Sequence, residues 1–199
     1  RYIPILIALM LALSLLTKGQ DPQFSQFYAA PMYLNPAFTG NTVQGRVTAN
    51  YRKQWIKVPG AFTSYSFSYD QFLRKYKSGV GLVFINDKAG SGALRYSSIG
   101  GLYSYVFYLT RTVGIRAGVR ASFISRDLDF DQLTFADQII RDDPLNTVET
   151  FNRIGETYVD FATGAILFSK SGWIGYSFDH LNRPNESFLG QDTRLPIKY

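Results

Sequence analysis

The chain has 199 residues, with no cysteine, one histidine, 21 basic and 15 acidic residues. The lack of cysteine excludes disulfide scaffolds, thiol nucleophiles, cysteine-type zinc sites and lipid anchors on cysteine. Charged residues make up only 18% of the chain, whereas aromatic residues, mostly Phe and Tyr, reach 16%. With one histidine and a mild net charge of +6, we predict no metal site, no cofactor and no nucleic-acid partner.

Residues 1–19 are predicted to be a secretory signal peptide. The apolar run 3–16 would rise ~21 Å as a helix, short of the ~30 Å hydrocarbon core of a bilayer. Arg1 precedes the run and Thr17, Lys18 and Gly19 follow it, which is the layout of a basic start, an apolar middle and a small-residue cleavage site. We expect cleavage after Gly19. The alternative is a buried core helix, but the run has no polar face and no cap.

Beyond residue 42 the hydrophobic pattern has a period of two, which predicts β-strands. Between residues 113 and 123, every odd-numbered position is apolar and every even-numbered position is Gly, Arg or Ser. No amphipathic helix is predicted after residue 21. Seven strands are predicted, at about residues 43–52, 61–70, 79–86, 93–108, 112–126, 159–167 and 174–179.

Three features favour a transmembrane antiparallel β-barrel over a soluble sandwich, which also alternates. Strands 93–108 and 112–126 exceed the ~5–6 residues of soluble strands and reach the ~9–11 residues that cross a bilayer. The second face carries Arg, Asn, Ser and Thr, which suits a wet lumen. Aromatic residues near strand ends are typical of interfacial girdles; they are Trp55, Tyr69, Phe72, Tyr76, Tyr105, Phe107, Tyr108 and Trp173.

The connections between the predicted strands support the same fold. If the exported N-terminus starts in the periplasm, connections should alternate between long outer loops and short inner turns. The predicted inner turns are 75–77, 109–111 and 170–172. The predicted outer connections are longer on average and lie at 56–60, 87–92, 127–156 and 180–193.

The segment 20–42, before the first strand, is too aromatic for a plain linker. Its candidate partner-binding residues are Phe24, Phe27, Tyr28 and Tyr33. We predict a periplasmic strap or plug that folds against the barrel, or a contact for a partner. The alternative is packing at the inner mouth of the barrel with no partner.

Two loops are further candidate partner surfaces, because long loops in compact folds are usually functional or disordered. The loop 127–156 contributes Phe130, Leu133 and Phe135. The loop 180–193 contributes Asn182 and Pro184.

Four arginines are predicted to face the lumen: Arg46, Arg52, Arg116 and Arg120. Three interpretations stay open. The arginines line an anion-preferring channel, they bind an acidic tail of a partner, or they form salt bridges within the lumen to Asp70 and Asp160.

The sequence offers little support for catalysis. His180 stands near Ser177 and Asp179, but strand alternation predicts that His180 points away from the other two, so a triad would not form. The chain has no P-loop, no dinucleotide-binding glycine motif after a strand and no HExxH motif. We predict that it is not an enzyme.

Several segments together resemble the PorP/SprF family of type IX secretion system membrane proteins from Bacteroidota. The most distinctive are residues 21–28 and 31–40. Further matching segments, in the same order along the chain, are 51–55, 79–82, 86–90, 130–138 and 173–185. The resemblance covers nearly the whole sequence.

The resemblance implies an outer-membrane β-barrel, localised to the cell outer membrane, that serves type IX secretion or gliding motility as an accessory. It implies contact with outer-membrane lipid and with a secretion component, either a periplasmic ring lipoprotein or the translocon. It also implies a secreted adhesin-like cargo that carries a C-terminal sorting domain. Family members are longer, so we expect the all-β region 43–199 to be strands 1–7 and the start of strand 8 of a larger barrel. A complete eight-stranded barrel is the alternative. The competing function is an outer-membrane diffusion channel with an arginine-lined lumen.

Overall fold

The computed structural model describes residues 27–57, 60–89, 94–129, 139–140, 155–188 and 192–199. The predicted signal peptide, residues 1–19, lies outside this part of the chain. Three short helical turns precede the first strand: a 3-10 turn Phe27–Ala29, helix α1 Pro31–Leu34 and a 3-10 turn Pro36–Phe38. A proline begins each of the last two, where no N–H donor is required and φ is already suitable. The Asn35 side chain accepts a hydrogen bond from Ala37 N at 2.8 Å and caps the second 3-10 turn.

The strands form one antiparallel sheet in which each strand pairs with the next along the chain. They are β1 Arg46–Gln54, β2 Phe62–Leu73, β3 Ser78–Ala89, β4 Leu94–Tyr108, β5 Gly114–Leu128, β6 Gly155–Phe168 and β7 Trp173–Phe178. A 3-10 turn Arg74–Tyr76 followed by Lys77 with a φ of 51° joins β2 to β3. The all-β antiparallel prediction is confirmed. No helix within the described residues is long and apolar enough to cross a membrane.

One face of the sheet, the outer face, is apolar and exposed. In β5, Val119 and Phe123 are exposed whereas Arg120 and Ser122 are buried. Soluble monomers rarely expose apolar patches beyond a few hundred Å², whereas barrel strands turn such a face to lipid. Exposed side chains of the outer face include Tyr51, Tyr65, Phe67, Leu82, Phe84, Ile99, Tyr103, Val159, Phe161, Leu167, Ile174 and Tyr176.

The opposite face, the inner face, is concave and buried. Ser66, Ser68 and Asp70 of β2 lie on it with almost no exposure. Beside β3 and β4, Met32 of α1 joins Val83, Ile85 and Leu102 in an apolar cluster. The residues before the first strand therefore supply part of the core of the inner face, around which the seven strands curve as a half-barrel.

The hairpin formed by β3 and β4 differs from the sequence prediction. The chain at 87–92 was expected to be a connection, but β3 continues to Ala89. Asn86 Nδ2 donates to Ser97 Oγ of β4 at 2.8 Å, and the Ser64 hydroxyl of β2 donates to the Asp87 carboxylate. Such cross-strand pairs stabilise a ladder, and here they outweigh the turn preference of Asn and Asp.

The two ends of the sheet also differ from the prediction. The first strand starts at Arg46, three residues later than expected. Residues 194–199, the expected start of an eighth strand, form only isolated bridges: Arg194 pairs with Asn185, and Lys198 pairs with Asp179. Pro196 has no N–H to donate to a ladder, which disfavours a regular strand here.

Candidate functional site

The segment before β1 lies across the inner face, and its described part, residues 27–41, is called here the pre-strand segment. Its backbone and side chains bond to strands far apart in the sheet. Gly40 N donates to Asp70 Oδ2 of β2 at 2.7 Å, and Ser104 Oγ of β4 donates to the Thr39 carbonyl at 2.7 Å. Asn35 Nδ2 donates to the Tyr176 carbonyl of β7 at 3.0 Å. One short segment thus fastens β2, β4 and β7 from within.

Glycines on the inner face make this close approach possible. A Cβ on Gly79 of β3 would lie 2.3 Å from the Thr39 carbonyl oxygen, and one on Gly118 of β5 would lie 2.5 Å from Pro36 C. A Cβ on Gly164 of β6 would lie 2.1 Å from Asn35 Oδ1. Since non-bonded carbon and oxygen atoms do not approach so closely, these three positions form a groove into which the pre-strand segment fits.

Ion pairs with buried carboxylates also lie on the inner face. Arg46 donates from Nε to Asp70 Oδ1 at 2.9 Å and from Nη2 to Asp70 Oδ2 at 3.1 Å. Arg120 Nη2 donates to Asp179 Oδ1 at 2.6 Å, and its guanidinium also lies 5.9 Å from the centre of the Tyr33 ring. Paired and hydrogen-bonded charges of this kind avoid the cost of an isolated buried charge.

A small polar cavity adjoins the Arg120–Asp179 pair. Its volume of about 20 Å³ is enough for a single water molecule. Asp160, His180 and Lys198 are among its lining residues. His180 Nδ1 lies 3.0 Å from Asp160 Oδ1, so that the histidine contacts a second buried carboxylate.

The structure places all four predicted arginines on the inner face. Arg46 and Arg120 are held by the aspartates described above. Arg116 Nη1 donates to Asn41 Oδ1 at 3.1 Å, and Arg52 Nη2 donates to Gln54 Oε1 at 2.7 Å. Each of the four therefore has a partner within the chain.

The predicted partner-binding residues of the pre-strand segment divide into two kinds. Tyr28 is 67% exposed, whereas Tyr33 packs against the apolar cluster around Met32 and receives the Arg120 and Lys198 cations on its ring. Phe27 belongs to the first 3-10 turn. Phe24 lies outside the described residues, as do Phe130, Leu133 and Phe135 of the long loop.

The chain after β7 folds back onto the sheet. Asn182 accepts from Phe161 N at 3.2 Å and donates to the Val159 carbonyl at 2.6 Å, so it continues the pairing of β6 beyond the end of β7. Pro184 is buried, and its carbonyl accepts from Leu195 N at 3.0 Å. Both predicted residues thus have a structural part in this connection.

The predicted direction of His180 is wrong. His180 follows the end of β7 and has a φ of 59°, which interrupts the alternation, so Asp179 and His180 both lie buried on the inner side. Ser177 Oγ donates to the Leu34 carbonyl at 3.2 Å. His180 is instead paired with Asp160, and its contact is with a carboxylate of β6 rather than with a serine.

The antiparallel half-barrel has an apolar outer face, and its inner face carries buried polar side chains and the pre-strand segment. This architecture is that of a membrane β-barrel protein. A comparison with known protein families identifies the family within this class. A family model described as "Type IX secretion system membrane protein PorP/SprF" matches residues 16–199. The chain therefore belongs to the PorP/SprF family, and the resemblance inferred from the sequence is confirmed. No curated protein and no solved structure matched the chain.

Family membership makes the chain a membrane protein involved in type IX secretion. The family is described as one of secretion-system membrane components. Within the described residues, no group of three or more His, Cys, Asp or Glu side chains is placed to hold a metal ion. The glycine groove and the Asp160–His180 pair were not predicted, because both join residues remote in sequence.

Proposed function

We propose that the protein is an accessory barrel of type IX secretion in the outer membrane, and that it binds a secreted adhesin-like cargo and helps to export or anchor it. The observation that carries this proposal is the occupied inner face. The pre-strand segment crosses that face. Arg46 and Arg120 on the same face have partners within the chain. A barrel filled in this way works by presenting surfaces rather than by conducting solutes.

The same observation weighs against the competing function, a diffusion channel. An anion path needs cationic groups that face water and exchange partners with the passing ion. Arg46 instead makes two bonds to one buried carboxylate, and Arg120 is bonded to Asp179. Conductance of the purified protein in planar bilayers discriminates the two functions, and we expect no sustained open-channel current.

The outer-membrane location is supported by the outer face of the sheet. Its strands of up to 15 residues are long enough to cross a bilayer. With that face in lipid, partners have access to the ends of the barrel and to the segments that emerge there. We propose that secretion components, either a periplasmic ring lipoprotein or the translocon, meet the protein at exposed positions such as Tyr28, and that the loops 127–156 and 180–193 face the cargo.

Deletion of the gene tests the proposal. We expect one cargo carrying a C-terminal sorting domain to disappear from the cell surface, as measured by surface proteolysis and by antibody labelling of intact cells. If every such cargo is still displayed on the surface of the deletion strain, the proposal is refuted. Membrane fractionation of the wild-type strain should recover the protein itself in the outer membrane.

A matched pair of tyrosines gives the sharper version of this experiment. Tyr28 is 67% exposed on the pre-strand segment and Tyr76 is 59% exposed in the β2–β3 turn. We expect Tyr28→Ser to reduce cargo display while Tyr76→Ser leaves it unchanged, with both variants present in the membrane at the wild-type level. If the two variants display the cargo equally, Tyr28 is not part of the partner surface.

A further inference from the structure

The inner face holds a second, larger pocket at the end of the sheet where the β6–β7 turn lies. Its volume is about 400 Å³. Phe38 and Asn41 of the pre-strand segment line it together with Arg116, Phe168 and Trp173 of the sheet. Phe168 and Trp173 are directly paired across β6 and β7, so both rings lie on the inner face, and Trp173 meets the Phe38 ring edge-on with 5.0 Å between the ring centres.

The charge in this pocket is positive. Arg116 and Lys170 are among its described lining residues, none of which is acidic. Asp70 of β2, which also faces inward, already accepts two hydrogen bonds from Arg46 and one from Gly40 N. Asp70 is therefore already paired with Arg46, and no acidic residue among the described residues that line the pocket balances Arg116 and Lys170.

Arg116 is the distinctive group of the pocket. Its guanidinium lies between two aromatic rings, 5.8 Å from the centre of Phe72 and 5.9 Å from that of Phe168. Its Nε is buried and has no hydrogen-bond acceptor in the described structure, while Nη1 is bonded to Asn41. A buried donor without an acceptor is costly, and an anion bound at this guanidinium would offset part of the cost of desolvating the charge.

We propose that this pocket binds a carboxylate carried beside an apolar or aromatic group, as an acidic peptide segment presents it. Arg116 and Lys170 hold the carboxylate, and the Phe38, Phe168 and Trp173 rings hold the apolar group. A peptide fits better than a lipid because the pocket lies on the inner face, away from the apolar outer face. The site is separate from the exposed surfaces assigned to secretion partners and cargo, so its test is independent of cargo display.

Tryptophan fluorescence of the purified full-length protein in detergent measures the binding. The sequence has two tryptophans, so Trp55→Phe leaves Trp173 as its single tryptophan reporter. The probe is the dipeptide acetyl-Phe-Glu, and the uncharged acetyl-Phe-Gln-amide is its control. We expect a saturable change with acetyl-Phe-Glu and at least tenfold weaker binding of the amide, since a charge-assisted hydrogen bond contributes roughly 1.5–3 kcal/mol.

Variants assign the effect to the pocket. Arg116→Gln should weaken binding of acetyl-Phe-Glu at least about tenfold, and Lys170→Gln, on the exposed turn, should weaken it without a risk to folding. Arg111→Gln removes the same charge at the same end of the sheet but outside the pocket lining, and should leave binding unchanged.

Four outcomes would overturn the proposal. They are equal affinity for the amide and the carboxylate, no saturable change up to about 10 mM dipeptide, unchanged binding in both Arg116→Gln and Lys170→Gln, and tighter binding of inorganic phosphate or of decyl phosphate than of acetyl-Phe-Glu. The last outcome would assign the pocket to free phosphate or to a lipid headgroup instead.

Discussion

Adding a single methyl group at Gly164 should make it easier for the pre-strand segment to leave the inner face. The new Cβ would lie 2.1 Å from Asn35 Oδ1, so Asn35 must move. That side chain accepts from Ala37 N and donates to the Tyr176 carbonyl. The loss of two hydrogen bonds costs ~1 kcal/mol each, and overpacking costs a further ~1–3 kcal/mol. Together they make opening of the segment easier by about 3–5 kcal/mol.

The cysteine-free sequence provides a direct assay for this opening. Thr39→Cys places a thiol at a position with 0% exposure, and a maleimide reacts with it only when the segment opens. If opening and closing are fast, the labelling rate follows the open population. Gly164→Ala should then raise the labelling rate by roughly 100-fold to a few thousand-fold, at ~1.4 kcal/mol per factor of ten.

The control is Gly101→Ala, the same change on β4. Gly101 is exposed and a Cβ there would meet no atom within 4 Å, so labelling of Thr39→Cys should stay at the parent rate. If Gly164→Ala also labels at the parent rate, the contact between Asn35 and β6 does not hold the segment, and the reasoning from the glycine groove is refuted.

Three further predictions concern the sheet and its ion pairs. Arg120→Gln removes the guanidinium that is bonded to the buried Asp179 carboxylate and should destabilise the folded barrel by about 3–5 kcal/mol, as measured by the loss of heat-modifiable gel mobility in urea. Arg194→Gln, at an exposed pair, should not move the urea midpoint, and equal midpoints for the two variants would contradict the claim. Val119→Arg, at the middle of β5 on the outer face, should lower the free energy of unfolding by about 2–4 kcal/mol if that face meets lipid, whereas Val119→Leu should leave it unchanged. An unchanged stability of the arginine variant would argue against a lipid contact. Asn182→Ala should lower stability by about 1–2 kcal/mol through loss of two bonds to β6 without changing cargo display, and a display defect at normal stability would instead make Asn182 a partner contact.

The strands could be predicted from the sequence because each side chain meets one of two different environments. In β5 the contrast between Val119 and Arg120 specifies both the strand and its faces. The same reasoning placed the end of β3 too early, since the turn-forming pair Asn86-Asp87 has side-chain partners on neighbouring strands. Those partners lie on other strands, and a local pattern carries no information about them.

The inner face could be predicted less well, because its contacts join residues far apart in sequence. Gly118 and Gly164 are visible as glycines, but nothing in their neighbourhood indicates that Pro36 and Asn35 occupy the space they leave. Trp173, expected in an interfacial girdle, lies against Phe38 on the inner face instead. Strand alternation does assign Trp173 to the same face as Gly175 and Ser177, so its inward position could have been predicted. The prediction of a girdle relied instead on the aromatic residue type near a strand end.

The energetics of the pre-strand segment favour a fixed internal support over a gate. Its attachment includes five hydrogen bonds to the strands, made by Ala29, Leu34, Asn35, Thr39 and Gly40. At ~1 kcal/mol each, with ~1.5–3 kcal/mol more for burial of Met32, full release costs about 7 kcal/mol. A partner that displaced the segment would need to contribute at least that much binding energy before gaining any affinity. Partners that meet the exposed part of the segment, where Tyr28 lies, avoid this cost, and their binding leaves the inner face as it is.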